Sequence, residues 1–423
     1  MKFAFVTARY GADITTGPDH ACRVLAEQVS SRHDVDVLTT CARNPQSWKN
    51  EFSEGTDRVR GALVRRFSVS QSRDEQAFSQ FSARVLAGPR TRADELEWLR
   101  RAGPWSAGLI DFIRRQHKSY DVLVFFSLCS PVTVAAATLA PERTIVFPYL
   151  QLQPALRFDV GAEILSAVRG VGLISGTERQ LLRSYMRVTP QHDEVVGVGI
   201  DPSPEQSYPR HQQDPADVVV DDEATAAGGE DDGPASYLEG RGVPFRRRHR
   251  LYGPFALYGG RVEPDNGCEE MLDYFDTYAA SDGDTALALM GVKMMQVPEE
   301  PYIRLAGVLP ERQRMIACEA ADVTIAPSAD DLVSQPLLES LAVGTPVLAS
   351  ARNSAAVEHC RRANAGLYYS NRGEFVEALR LMMTNSRLRS RLGENGRIYI
   401  RQNFRWDAVL GRFDRLVSKA RAR

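Results

Sequence analysis

The stretch DVLVFFS at residues 121–127 is apolar at nearly every position. A strand with one wet face alternates between apolar and polar residues. A short run apolar on both faces belongs inside a sheet covered on both sides, which is the parallel, helix-wrapped arrangement. Its surroundings agree. Strands are expected at 3–7, 35–39, 143–148 and 172–175, with a helix at 19–32 whose Ala21, Val24, Leu25 and Val29 recur at helical spacing. After residue 201 this alternation stops. Residues 202–250 are rich in Pro, Asp, Glu, Gly and Gln, include the acidic run VDDEATAAGGEDDG, and close on the basic run RRRHR. They predict a mobile charged linker, with a membrane-surface or partner-docking role as the alternative. A second alternating series follows, with strands from 255, at 286–290, 323–326 and 346–349. Helices are expected at 268–278, 311–320, near 337–343 and at 406–419.

A chain of 423 residues exceeds what one ordinary core organises. The fold class read from the sequence is α/β, with two doubly wound, Rossmann-like domains facing across a cleft. The expected division is an N-terminal domain at 1–201 and a linker or insertion at 202–250. A second doubly wound domain at 251–400 follows, then a C-terminal helix at 401–423. Ligands of such sheets bind beyond the carboxyl ends of the strands, so the site is expected between the domains.

Composition narrows the function. A formal net charge of -2 gives no global case for nucleic-acid binding. No apolar run reaches the roughly 18 residues that span a bilayer. The opening residues read as a buried strand rather than a signal peptide. The six cysteines form no C-x-x-C pair, so neither a metal site nor a disulfide framework is expected, and a reduced, cytoplasmic protein is. No G-x-G-x-x-G follows the first strand, which argues against a dinucleotide dehydrogenase. No D-x-D pair follows a strand in the way a diphosphate-bridging metal would need, so the expected chemistry is metal-independent and without cofactor.

The most informative stretch is APSADDLVSQPLLESLAVGTPVLAS at 326–350. Pro327, Ser328, Glu339, Gly344 and Pro346 fall at the spacing of a donor-binding signature. The segment resembles that of family-4-type retaining glycosyltransferases of the GT-B fold, the glycosyl transferases group 1. In that signature Asp331 stands where glutamate is usual. The resemblance implies that amides of Val333, Ser334 and Gln335, at a helix N-terminus, contact donor sugar and phosphate. It implies equally that Glu339 accepts hydrogen bonds from ribose hydroxyls. YGGRVEPDNG at 258–267 resembles a strand end reading G-R, four residues, K-G. Arg261 matches the arginine that neutralises the diphosphate, and Asn266 occupies the lysine position. LAGVLP at 305–310 resembles the strand end near the base, placing Val308 there. VGVGID at 196–201 resembles the hinge and FRW at 404–406 the return crossing, which implies an acceptor-side domain at 1–201, a nucleotide-sugar-binding domain at 251–400 and a C-terminal helix at 401–423 that packs back on the first domain. In the N-terminal half, Arg9-Tyr10-Gly11 and the turn Thr16-Gly17-Pro18-Asp19 resemble an R-Y-G and G-G-A-E pair. Thr16 replaces the first glycine of that turn, and Gln151 stands where relatives carry a histidine.

The site set implied by the resemblance is therefore Asp331, Gln151 and Arg261 for catalysis, and Gly17, Thr16, Arg261, Asn266, Val308, Val333, Ser334, Gln335 and Glu339 for the donor. Thr16, Gln151, Asn266 and Asp331 are departures at ligand positions. The favoured reading is a retaining glycosyltransferase moving a hexosyl-type sugar from a nucleotide-diphosphate sugar to a small-molecule or glycan acceptor. Two alternatives stay open: a pseudo-glycosyltransferase or atypical S-/N-transferase of a biosynthetic pathway, and a catalytically silent nucleotide-sugar-binding scaffold. Candidate protein partners are a second copy of the chain or a homologous subunit. Acceptor choice is expected in loops at 44–58 and 71–100, and 98–105 is expected to pack.

Overall fold

A computed structural model of the chain describes residues 1–14, 17–150, 154–200, 242–282, 284–329 and 335–421. The chain divides into two compact units, residues 1–199 with 406–423, and residues 200–405.

The first unit holds eight strands: β1 Lys2–Val6, β2 Asp34–Thr40, β3 Gly55–Val59, β4 Ala62–Phe67, β5 Val122–Phe126, β6 Thr144–Phe147, β7 Gly170–Leu173 and β8 Asp193–Val195. They form one sheet in the order β3-β4-β2-β1-β5-β6-β7-β8. All pairings are parallel except β3 with β4. β5, the run apolar on both faces, is buried along its whole length. Phe5 and Phe126 stack at 6.1 Å, Phe126 and Phe147 at 4.8 Å, and Phe413 of the helix Trp406–Arg421 closes on Phe3, Phe5 and Phe147. Each such aromatic pair adds roughly 0.5–1.5 kcal/mol beyond its buried area. The sheet pays sterically for this ring cluster at Gly172, where a Cβ would lie 2.4 Å from the Phe147 ring. The last helix is fixed further by Arg412, which donates to the Val196 carbonyl at 2.9 Å, and by Lys419 and Arg415 on Glu194.

Two expectations about this unit are corrected. Residues 71–100 are not loop: Glu75–Ala87 and Arg92–Ala102 are helices, and 55–67 form the β3–β4 hairpin. The second of these helices starts at a capping box of Thr91 and Asp94. Most of its residues are polar, so its buried stripe is thin and its period faint. Trp98 packs against Phe78 and Phe158, as a packing residue does.

The second unit holds β9 Phe255–Gly259, β10 Ala286–Met290, β11 Ile303–Gly307, β12 Val323–Ala326, β13 Val347–Ser350 and β14 Gly366–Tyr369. All are parallel, in the order β11-β10-β9-β12-β13-β14. Both faces of the sheet are buried. Phe255 and Leu257 point into one core, while Ala256 and Tyr258 point into the other. The helix Val243–Arg248 belongs to this unit, although the sequence assigns it to the charged linker. Phe245 sits in the core beside Phe255. Arg246, inside the basic run, is buried and donates to the carbonyls of Leu251, Gly253 and Ala320. Residues 202–241 of the expected linker lie outside the described residues.

Candidate functional site

In sequence order, the second sheet reads three-two-one-four-five-six. Its direction of winding reverses between β9 and β12, and an open parallel sheet takes its ligand in the crevice at that point. Three strands end there in glycines with positive φ: Gly260 (147°), Gly291 (135°) and Gly307 (71°). The Gly260 N–H donates to the Met290 carbonyl at 2.9 Å, and the Gly291 N–H to the Gly307 carbonyl at 2.7 Å. A Cβ on Gly291 would lie 1.9 Å from the Gly260 carbonyl oxygen, so only glycine allows this ledge of stacked backbone. Val308, directly after it, is 65% exposed.

Arg261 follows Gly260 and directs its guanidinium outward. Its side chain is 61% exposed and Nη2 meets Glu263 at 2.8 Å. Its carbonyl accepts from the Tyr258 hydroxyl at 2.7 Å and from Asn266 Nδ2 at 2.9 Å. Asn266 Nδ2 also donates to Glu263 Oε1 at 3.0 Å. The Asn266 amide therefore braces the turn around Arg261. Gly267 completes the turn at φ 72°, and a Cβ there would lie 2.8 Å from the Pro327 carbonyl oxygen. This close approach sets the Arg261 turn beside the Pro327-Ser328 segment after β12. Ser328 is held in turn through its carbonyl, which accepts from Asn353 at 2.9 Å.

The helix Gln335–Val343 carries Glu339 on its inner face, 2% exposed. Arg314, on the helix Glu311–Ala320, takes the carboxylate with both arms of its fork. Nη2 meets Oε1 at 2.6 Å and Nε meets Oε2 at 3.2 Å. Gln335 Nε2 adds a bond to Oε1 at 2.9 Å. Burial pushes the Glu339 carboxyl above the usual range, and Arg314 opposes this by stabilising the anion. Nothing in the sequence signals Arg314, which lies 25 positions upstream.

In the first unit, Gly17 opens its helix at φ 74°, and among the described residues nothing lies within 4 Å of where a Cβ would point. Asp19 is buried and accepts from the Thr7 hydroxyl at 2.6 Å, the Arg9 N–H at 3.1 Å and Arg9 Nε at 2.8 Å. It thus ties the helix to the end of β1. Just beyond β5 and β6, Ser127 and Tyr149 adopt left-handed backbone, φ 70° and 56°. Such residues cost about 1 kcal/mol or more and concentrate at binding sites. Glu178, which the sequence reading missed, fixes this region. It is fully buried and accepts from the N–H groups of Tyr149, Leu150 (2.7 Å) and Ile174 (2.6 Å). Burial pushes its carboxyl up to about 7 against those three donors. The S-x-x-E spacing of Ser175 and Glu178 is the signal that would have found it.

The structure thus brings Arg261, Asn266 and the Pro327-Ser328 segment together, and joins Gln335 to Glu339. Val308 stands at the neighbouring strand end. Thr16, Gln151, Asp331, Val333 and Ser334 lie outside the described residues. Among the described residues no group of three or more His, Cys, Asp or Glu is placed to hold a metal ion, and no helix is long and apolar enough to cross a membrane.

Residues 245–399, most of the second unit, match the family described as glycosyl transferases group 1. The chain carries a glycosyl transferases group 1 domain. It is an enzyme of the glycosyltransferase class, and solved glycosyltransferases share its fold over the whole length. Sucrose-phosphate synthase from Thermosynechococcus elongatus superposes with a TM-score of 0.66 at 14% identity, covering 99% of this chain and 98% of that one. HepE from Anabaena, solved in complex with UDP and glucose, gives 0.67 at 12% identity and 99% coverage of each chain. An α,α-trehalose-phosphate synthase (UDP-forming) from Burkholderia vietnamiensis gives 0.64 at 11%, covering each chain completely. At these identities the likeness establishes the GT-B fold of this glycosyltransferase chain and leaves its substrates to its own residues.

Proposed function

We propose that the chain transfers a sugar from a nucleotide-diphosphate sugar to a small-molecule or glycan acceptor, with retention of anomeric configuration. The observation that carries this reading is the switch point of the second sheet. There an outward guanidinium, Arg261, stands beside the Pro327-Ser328 segment that leads towards the helix bearing Glu339. Arg261 offers positive charge to a diphosphate, and the resemblance assigns the amides of Val333, Ser334 and Gln335 as N–H donors to it. Both stabilise charge that grows as the glycosidic bond breaks. The departing diphosphate oxygen then takes the proton of the acceptor hydroxyl attacking the same face, so no protein nucleophile, metal or cofactor is needed. Asp331 holds a donor-sugar hydroxyl, Gln151 hydrogen-bonds a sugar hydroxyl, Val308 borders the base and Gly17 leaves room for backbone near the phosphates. HepE, solved with UDP and with UDP-glucose, supports a uridine nucleotide as the first donor to try.

One observation favours the silent scaffold as the second reading. Asn266 spends its amide on the Arg261 carbonyl and Glu263, so the turn presents one cation where two would be usual.

A thermal-shift series with UDP, GDP, ADP, TDP and their sugar conjugates tests the proposal. A ligand bound only by the folded state adds about 2.7 kcal/mol at 100 times its dissociation constant. The expected outcome is a clear rise with one nucleotide and its conjugate, followed by release of that nucleoside diphosphate with an acceptor. A rise without turnover over a broad acceptor panel supports the scaffold. No rise with any nucleotide refutes donor binding.

A further inference from the structure

Glu339 has less to offer a ribose than its position suggests. A carboxylate has about four lone-pair positions, two on each oxygen. Oε1 already receives Arg314 Nη2 at 2.6 Å and Gln335 Nε2 at 2.9 Å, which fills it. Among the described residues, Oε2 receives only Arg314 Nε, at 3.2 Å. The guanidinium fork fits both oxygens at once and is the harder of the two partners to displace. Two vicinal ribose hydroxyls chelating a carboxylate need one free position on each oxygen. Here Oε1 has none.

We infer that Arg314 and Gln335 make Glu339 an acceptor for a single ribose hydroxyl, so that the donor site recognises one of the two hydroxyls and tolerates loss of the other. The substrate class then extends to deoxyribonucleoside-diphosphate sugars alongside ribonucleoside ones. This rests on the donor-site reading proposed above. Gln335 is the specificity-determining residue of the pair, because its removal empties one position on Oε1 while Arg314 keeps the carboxylate ionised and in place.

Calorimetry on the full chain with UDP, 2′-deoxy-UDP and 3′-deoxy-UDP tests it. In the unsubstituted protein one deoxy analogue is expected to bind within about twofold of UDP, and the other roughly tenfold or more weaker, the usual loss of a hydrogen bond to a charged group. In Gln335→Ala both analogues are expected to fall at least about fivefold below UDP, because the second hydroxyl now has an acceptor. Losses of about fivefold or more for both analogues in the unsubstituted protein overturn the inference while the donor reading stands. The inference also fails if both analogues equal UDP, since Glu339 then takes no hydroxyl. Absence of binding by UDP and by every other nucleoside diphosphate overturns the donor reading and this inference with it.

Discussion

Replacing Arg314 by leucine should cost the second unit more stability than most single substitutions cost a protein. The change leaves Glu339, 2% exposed, with Gln335 as its one remaining partner among the described residues. Two hydrogen bonds to a charged group are lost, at 2.6 and 3.2 Å. At about 1.5–3 kcal/mol each this gives roughly 3–6 kcal/mol, in line with the roughly 3–5 kcal/mol found when one partner of a buried ion pair is removed. With a urea dependence of roughly 2 kcal/mol per molar, the midpoint falls by about 2 M. The assay can be assigned to one unit. All four tryptophans, Trp48, Trp98, Trp105 and Trp406, belong to the first unit, so their fluorescence follows that unit alone. Far-UV ellipticity follows both. Arg314→Leu should lower the midpoint of the ellipticity transition that tryptophan fluorescence does not report. Replacing both residues by leucine should restore most of the loss, since a buried pair exchanged for apolar side chains is often neutral. A single substitution costing under about 1 kcal/mol, or a double one costing as much as the single, would refute the reasoning.

Two further outcomes follow from the same geometry. His359 is buried against Tyr399, with Nδ1 at 3.0 Å from the hydroxyl, and burial lowers its pKa from 6.5 to about 4. The unfolded chain therefore binds a proton that the folded chain refuses. Its contribution is complete above pH 6.5 and is lost as pH falls to 4, about 3 kcal/mol in all. His359→Leu should flatten the acid limb of the stability profile by that amount, and an unchanged limb contradicts the assignment. Glu263 neutralises the exposed guanidinium of Arg261 at 2.8 Å. Glu263→Gln should tighten nucleoside diphosphate binding by roughly two- to fivefold, the worth of an exposed ion pair, as read by calorimetry. Weaker binding would mean that Arg261 does not face the phosphates.

The sequence by itself determined the architecture of both units. The run apolar on both faces became β5, at the middle of the first sheet. Strands 286–290 and 323–326 and the helix at 311–320 lie at the residues expected, because each is a local pattern of apolar residues bounded by breakers such as Gly291, Pro310 and Pro327. The glycines ending β9, β10 and β11 were visible as letters, and positive φ is the one service only glycine gives cheaply. The fixed spacing from Ser328 to Glu339 placed the carboxylate on the helix after β12. The helices at 75–102 were missed although Phe78, Phe81 and Val85 fall at helical spacing and Thr91 and Asp94 spelled a cap; few of their side chains are buried. Tertiary structure alone decided what the site residues touch. Arg314 meets Glu339, Asn266 turns back on the Arg261 carbonyl, and Glu178 gathers amides from two strand ends. Such pairings join residues on different elements, or select one rotamer among several. Neither periodicity nor motif spacing encodes them, because they are fixed only when packing sets the distances between the elements that carry them.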